Sequence, residues 1–179
     1  MAGGIFVIQG DGDLVELSEQ PYDSEDLLQR LLESYPRLLA GDSTMGPAGS
    51  TWLLVKREAG VPDGEEAPDR WSIDHLFVDR DGVPTLVEVK RSTDTRIRRE
   101  VVGQMLDYAA NAIVYWPVET IRAKYEARCG SDGLDPDQTF IDTFGAEIDA
   151  EEFWQKVKTN LQAGRVRLLF VSGLPSLPT

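Results

Sequence analysis

Residues 73–91, IDHLFVDRDGVPTLVEVKR, decide the fold of this chain. Apolar and polar residues alternate on both sides of RDG, a pattern typical of two antiparallel strands joined by a tight turn. We expect RDG to form a three-residue loop, with Gly82 in the left-handed conformation that such loops favour. This register brings Asp74 opposite Glu88, with their Cβ atoms about 5 Å apart.

Both faces of the predicted hairpin carry apolar side chains. One face holds Leu76, Val78 and Leu86, and the other holds Ile73, Phe77, Val87 and Val89. Strands that are covered on both faces lie inside a sheet. Asp74, Glu88 and Lys90 share the first face, because side chains two residues apart point to the same side of a strand. Three polar groups therefore lie at the open end of an apolar hairpin.

These three polar groups indicate a metal-dependent reaction. Two facing carboxylates at a partly buried site repel each other unless one binds a proton or a cation lies between them. Mg²⁺ commonly binds through one or two carboxylates and keeps several waters. A lysine beside the ion can orient or deprotonate a water and stabilise charge on a phosphoryl oxygen. Asp74, Glu88 and Lys90 therefore point to phosphodiester hydrolysis.

Two other interpretations of the same residues stay open. Asp74, Glu88 and Lys90 could form a structural ion pair across the sheet, although one acid is then in excess. Carboxylates about 5 Å apart also suit a retaining glycoside hydrolase. The adjacent lysine and the lack of an aromatic-lined sugar cleft in the sequence argue against that enzyme class.

The same residues resemble the PD-(D/E)XK nuclease superfamily, which has the restriction-endonuclease-like fold. Asp74, a hairpin and then Glu88-Val89-Lys90 follow its motif, with Ile73 where the nominal proline stands. The resemblance implies an α/β protein with an αβββαβ core, in which helices flank a mixed central sheet. It also implies that Asp74, Glu88 and the Val89 carbonyl bind Mg²⁺, with Mn²⁺ as a substitute, and that Lys90 positions the attacking water.

Two further segments are similar to the RecB-type branch of this superfamily. Gln104 and Tyr108 in GQMLDYA match its Q-x3-Y feature, and SEDLLQRLLESYPRLL resembles its leading helix. The glutamate of that helix maps onto Glu25, where it would support the metal ligands or hold a second ion, although a first-turn acid also suits the helix dipole. The resemblance thus adds Glu25, Gln104 and Tyr108 to the catalytic set and covers about half the chain, residues 24–110.

The chain is strongly acidic, with 31 Asp and Glu against 18 Lys and Arg and a formal net charge of −13. Such a charge opposes nonspecific attraction to nucleic acid or to anionic membranes. One basic cluster directly follows Lys90 and is the predicted contact to DNA phosphates. It consists of Arg91, Arg96, Arg98 and Arg99. Because DNA binding draws on many basic contacts, a homodimer or a partner protein is expected to supply more of them.

Rare residues exclude several kinds of site. Cys129 is the only cysteine, which excludes an internal disulfide and a thiolate zinc site. His75 is the only histidine, which excludes two-histidine metal sites, and its place on the face away from Asp74 predicts a packed side chain. No apolar run approaches the roughly 18 residues of a membrane span, and MAGGIFVIQG lacks the basic region of a signal peptide. We therefore expect a cytoplasmic protein without membrane contact.

We expect one folded domain with a short addition at each end. Residues 1–22 are predicted to form a β-hairpin, 23–173 the nuclease-like domain and 174–179 a tail. A helix is predicted from Asp23 or Ser24 through DSEDLLQRLLESYPRLL, with Pro36 expected to break or kink it. Other strands are predicted at TWLLVKRE and RVRLLFVSG, other helices at RIRREVVGQMLDYAANAIVYW, ETIRAKYEARCG and DAEEFWQKVKTNLQAG, and loops at AGVPDGEEAPD and SDGLDPDQ.

A nuclease-derived module without turnover is the alternative function. Such a module would keep the fold and bind DNA or protein. The acidic surface and the short chain favour it, whereas intact Asp74, Glu88 and Lys90 favour hydrolysis.

Overall fold

The computed structural model describes residues 5–10, 13–17, 24–40, 51–62, 69–90 and 98–172, which contain six strands and five α-helices. The strands are β1 (Ile5–Gln9), β2 (Asp13–Leu17), β3 (Trp52–Pro62), β4 (Asp69–Asp79), β5 (Pro84–Lys90) and β6 (Arg167–Ser172). The helices are α1 (Glu25–Ser34), α2 (Arg98–Tyr115), α3 (Val118–Ser131), α4 (Pro136–Phe144) and α5 (Ala150–Gln162). A short 3-10 turn over Pro36–Ala40 follows α1.

The central sheet is mixed, as predicted. Its strand order is β3-β4-β5-β6, in which β4 is antiparallel to β3 and to β5, and β6 is parallel to β5. The chain crosses from β5 to β6 through α2, α3, α4 and α5. Strands β1 and β2 form a separate antiparallel pair, which confirms the predicted N-terminal hairpin. No helix in the described part of the chain is long and apolar enough to cross a membrane.

The predicted hairpin register is confirmed. Gly82 has a φ of +75° in the left-handed region, as a three-residue loop requires. The Asp79 amide donates to the Val83 carbonyl at 3.2 Å, and the pairing continues with the same register as far as His75 and Val87. The next residues in this register are Asp74 and Glu88.

Helix α1 begins and ends where the sequence predicts. Ser24 caps it by accepting a hydrogen bond from the Leu27 amide at 3.1 Å. Leu28 and Leu32 are buried against the sheet, and each contributes about 1.5–3 kcal/mol by leaving water. The helix stops at Ser34 because proline lacks an amide hydrogen and Pro36 cannot continue it.

Both faces of the sheet are covered. The cluster beneath α1 contains Leu28, Leu32, Trp52, Leu54, Phe77, Val87 and Val89. The cluster beneath α2–α5 includes Leu53, Val55, Ile73, Leu76, Val78 and Leu86 from the sheet. The predicted division of hairpin side chains is therefore confirmed except for Ile73, which we expected beside Phe77. Its partner on β3 is Ala59, directly after Glu58, whose left-handed φ of +51° breaks the alternation of β3 at that point.

Two predicted loops are partly wrong. SDGLDPDQ contains the start of α4, because Asp135 accepts a hydrogen bond from the Gln138 amide at 2.8 Å and Pro136 occupies the first helical position. AGVPDGEEAPD begins within β3, which continues to Pro62, and ends within β4, which starts at Asp69. The middle of that predicted loop, the predicted tail and the segment 91–97 lie outside the described residues.

Candidate active site

Asp74 lies where β4 and β5 separate. Their antiparallel pairing ends at His75 and Val87. Beyond that point the Val89 amide donates to Asp74 Oδ2 at 2.6 Å, while β5 stays paired with β6 to its end. The Asp74 carboxylate thus takes the place of a backbone carbonyl as the acceptor for an amide of β5. It lies where the two strands begin to separate.

Glu88 is buried beside this gap, with 5% of its surface exposed. Its Oε1 lies 2.8 Å from Lys90 Nζ. Its Oε2 is buried and has no hydrogen-bond partner among the residues that the structure describes. Buried acceptors of this kind are rare in folded proteins and indicate either a cost in stability or an absent ligand. Glu88 Oε2 is therefore the atom of the site that most directly suggests a bound ligand.

Burial and neighbouring charges shift the pKa of two site residues. Burial raises the pKa of Asp74 to about 6, although the hydrogen bond from Val89 opposes this, and the negative charge of Glu88 adds to it. For Lys90, burial alone lowers the pKa, but the hydrogen bond with Glu88 and the nearby carboxylates outweigh it and leave the pKa raised. Lys90 is therefore an ammonium group at neutral pH, and Asp74 is ionised above about pH 6.

Glu25 joins the predicted residues from α1. It stands in the first turn of that helix, and its negative charge contributes to the raised pKa of both Asp74 and Lys90. The charge of Glu25 therefore acts on both residues.

Gln104 and Tyr108 approach from α2. The Gln104 side-chain amide donates a short hydrogen bond to the Tyr108 hydroxyl. Burial raises the pKa of Tyr108, and the charge of Glu88 also raises it, although the hydrogen bond from Gln104 lowers it. The electrostatic effect of Glu88 on Tyr108 shows that α2 lies beside the same end of β5.

The predicted arginine cluster is described only in part. Arg91 and Arg96 lie outside the described residues, and Arg98 and Arg99 form the first turn of α2. This turn follows the segment that leaves β5 directly after Lys90.

Gln29 is a site residue that the sequence analysis missed. Its Nε2 donates to Asp74 Oδ1 at 2.8 Å, and its backbone carbonyl accepts from His75 Nε2 at 3.0 Å. Burial lowers the pKa of His75 to about 4, so the ring is neutral, and the predicted packed histidine is confirmed. The one available signal was spacing, since Gln29 follows Glu25 by four residues and shares its helix face.

The donor set suits a hard cation with a partly aqueous coordination shell. Within the described residues, no group of three or more His, Cys, Asp and Glu side chains is placed to hold a metal ion. Mg²⁺ does not need one, because one or two carboxylates and several waters are its usual ligands in proteins. Asp74, Glu88 and the Val89 carbonyl could provide the protein ligands, and the unpartnered Glu88 Oε2 fits this role.

Comparison with known proteins adds no relative. No protein-family model, curated protein or solved structure matches the chain.

Proposed function

We propose that this protein is a Mg²⁺-dependent nuclease that hydrolyses phosphodiester bonds of DNA, with the αβββαβ core of the PD-(D/E)XK superfamily. The observation that carries the proposal is the buried Glu88, which has one oxygen on Lys90 and the other without a partner in the described part of the chain. Two carboxylates and an ammonium group at a gap between strands are suited to a metal ion and a phosphate. A structural ion pair would need only one of the two acids.

Each residue of the site has a separate task in this proposal. Asp74, Glu88 and the Val89 carbonyl hold Mg²⁺, which would supply a Lewis acid to the phosphate and lower the pKa of a bound water. Lys90, kept protonated by its neighbouring carboxylates, donates hydrogen bonds that orient the attacking water or stabilise charge on a phosphate oxygen. It does not act as the base. Glu25 supports the ligands or holds a second ion.

Tyr108 and Gln104 have a positioning task on the α2 side. The raised pKa of Tyr108 keeps its hydroxyl protonated, so it is a neutral group beside a charged site. Gln104 fixes the Tyr108 oxygen through its amide. Arg91, Arg96, Arg98 and Arg99 would contact phosphates of the bound strand, and a second copy of the chain or a partner protein would extend this basic surface.

The alternative is a nuclease-derived DNA- or protein-binding module without turnover. The formal net charge of −13 supports it, because a catalytic DNA-binding protein gains affinity from basic contacts. Cleavage of DNA separates the two functions. A silent module would bind DNA or protein without cutting, whether or not it binds metal.

The test is cleavage of labelled single-stranded and double-stranded DNA with Mg²⁺, Mn²⁺ or EDTA. We would compare the wild type with Asp74→Asn and Lys90→Met. Asp142→Asn is the control for the first, because Asp142 also accepts from a glutamine, at 2.7 Å, but on the exposed surface of α4. Lys158→Met is the control for the second, since Lys158 pairs loosely with Glu119 at 4.0 Å.

The proposed function predicts metal-dependent cleavage that falls at least about 100-fold in both site variants and stays unchanged in both controls. Cleavage that persists in Asp74→Asn would refute the assignment. DNA binding without cleavage by the wild type, under every metal condition, would move the conclusion to the silent module.

A further inference from the structure

Gln29 takes part in three hydrogen bonds, although it is only half-buried on the surface of α1. Arg57 Nη2 donates to its Oε1 at 3.0 Å, and its Nε2 donates to Asp74 Oδ1 at 2.8 Å. His75 donates to its backbone carbonyl from below. A partly exposed helical glutamine does not need such contacts for packing. The contacts connect α1, β3 and β4 at one residue.

Arg57 decides which way the Gln29 amide points. A guanidinium group only donates hydrogen bonds, so it must face the amide oxygen of Gln29. The amide nitrogen is then turned towards Asp74, where a carboxylate needs a donor. Arg57 is itself fixed, because its Nη2 lies 2.6 Å from Asp26 Oδ1 and its Nη1 lies 3.6 Å from Glu33 Oε2. The orientation of Gln29 is therefore set by an ion pair outside the site.

Asp74 needs this donor because it lies beside a like charge. The negative charges of Glu88 and Glu25 both act on Asp74 and oppose its ionised form. The Val89 amide holds Oδ2, and only a second donor on Oδ1 fixes the plane of the carboxylate. Each oxygen then keeps one further lone pair, which can serve a cation.

We propose that Gln29 is a positioning residue that holds the Asp74 carboxylate in the orientation for binding a divalent cation, and that Arg57 acts through Gln29. This inference rests on the proposed function, since it assigns Gln29 and Arg57 to the same metal site. Partners that orient a metal-binding carboxylate typically change metal affinity by about 10- to 100-fold when they are removed.

The first experiment measures Mn²⁺ affinity by calorimetry for the wild type and Gln29→Met. Methionine keeps the length of the side chain and removes the donor. Gln138→Met is the matched control, because Gln138 donates to Asp142 at 2.7 Å on the exposed side of α4. We expect binding of Mn²⁺ to weaken about 10- to 100-fold in Gln29→Met and to stay unchanged in the control. Urea denaturation in EDTA checks that both variants are folded.

The second experiment separates orientation from charge with Arg57→Met. If Arg57 acted only through its charge, its removal would strengthen binding of a cation in any background. If it acts through Gln29, its removal weakens Mn²⁺ binding in the wild type and no longer does so when Gln29→Met is also present. Equal effects of Arg57→Met in both backgrounds would overturn the proposed role of Arg57.

The third experiment tests the contact without metal. We would record the side-chain amide resonances of Gln29 by NMR in EDTA and compare the wild type with Asp74→Asn and Arg57→Met. Both substitutions should shift these resonances and speed their exchange with water, whereas Gln138→Met should not. Unshifted resonances would overturn the positioning contact itself. Shifted resonances together with a wild type that binds no Mn²⁺ would instead refute the metal site and the role of Gln29 towards it.

Discussion

Asp74 should make the metal-free protein less stable as the pH rises, and Mg²⁺ should reverse this trend. The pKa of Asp74 is about 6 in the folded protein, above its ordinary value of 3.8. The folded state therefore binds this proton more tightly than the unfolded state does. The resulting stabilisation is fully present below pH 3.8 and is lost as the pH rises through about 6.

The size of the effect follows from the two pKa values. They differ by about 2 pH units, which corresponds to about 3 kcal/mol for a fully buried group. Asp74 is only partly buried, so screening by solvent reduces the expected change in the free energy of unfolding to about 1–2 kcal/mol.

Urea denaturation between about pH 4.5 and about pH 7.5 measures this change in EDTA. Other carboxylates titrate in the same range, so the informative quantity is the difference between Asp74→Asn and the wild type. We expect the variant to gain about 1–2 kcal/mol relative to the wild type across this range. Asp142→Asn, at an exposed aspartate that also accepts from a glutamine, is measured in parallel as the control.

With Mg²⁺ the wild type should instead gain stability as the pH rises, because metal ligands bind in their deprotonated form and a ligand stabilises the state that binds it. Asp74→Asn should gain little. A pH-independent difference in EDTA would refute the raised pKa of Asp74. Equal stabilisation of both proteins by Mg²⁺ would refute Asp74 as a ligand.

Three further substitutions test the surroundings of the site. Lys90→Met should destabilise the protein by about 2–4 kcal/mol in EDTA, because it leaves the buried Glu88 without its ammonium partner. An unchanged midpoint of urea denaturation would contradict this. Gly82→Ala should lower the free energy of unfolding by about 2–3 kcal/mol in thermal denaturation. The φ of Gly82 is +75°, and the new Cβ would lie 3.0 Å from a backbone nitrogen of α5. A loss below about 1 kcal/mol would argue against strain at this position. Asp79→Asn should cost about 2–3 kcal/mol by weakening the bond to Arg167 at 2.7 Å, yet leave Mn²⁺ affinity unchanged in calorimetry.

The paired carboxylates could be predicted from sequence because the information for them is local. The loop at RDG needs a left-handed residue, and Gly82 provides it. That loop fixes the register of the two strands as far as His75 and Val87, so Asp74 and Glu88 are the next residue of each strand where the pairing ends. Side-chain alternation then places Lys90 on the same face.

Other features depended on information that the local pattern does not contain. Gln29 contacts Asp74 across 45 residues, and only the docking of α1 on the sheet creates that contact. Strand β3 can include Pro62 because it lies at the edge of the four-stranded sheet. A residue without an amide hydrogen need not interrupt the hydrogen bonds between strands there. The start of α4, by contrast, has a local signal in Asp135 and Pro136. The sequence analysis places these two residues in a loop.

The late position of β6 in the chain has a consequence for synthesis. Strands β3, β4 and β5 follow one another directly, whereas β6 joins β5 only after α2–α5 have been made. Until then β5 is an exposed edge, and edge strands recruit other chains unless charged residues oppose this. Glu88 and Lys90 lie in the half of β5 that later pairs with Phe170 and Ser172. We therefore expect the charges of the residues proposed for catalysis to oppose aggregation of the growing chain before the folded site exists.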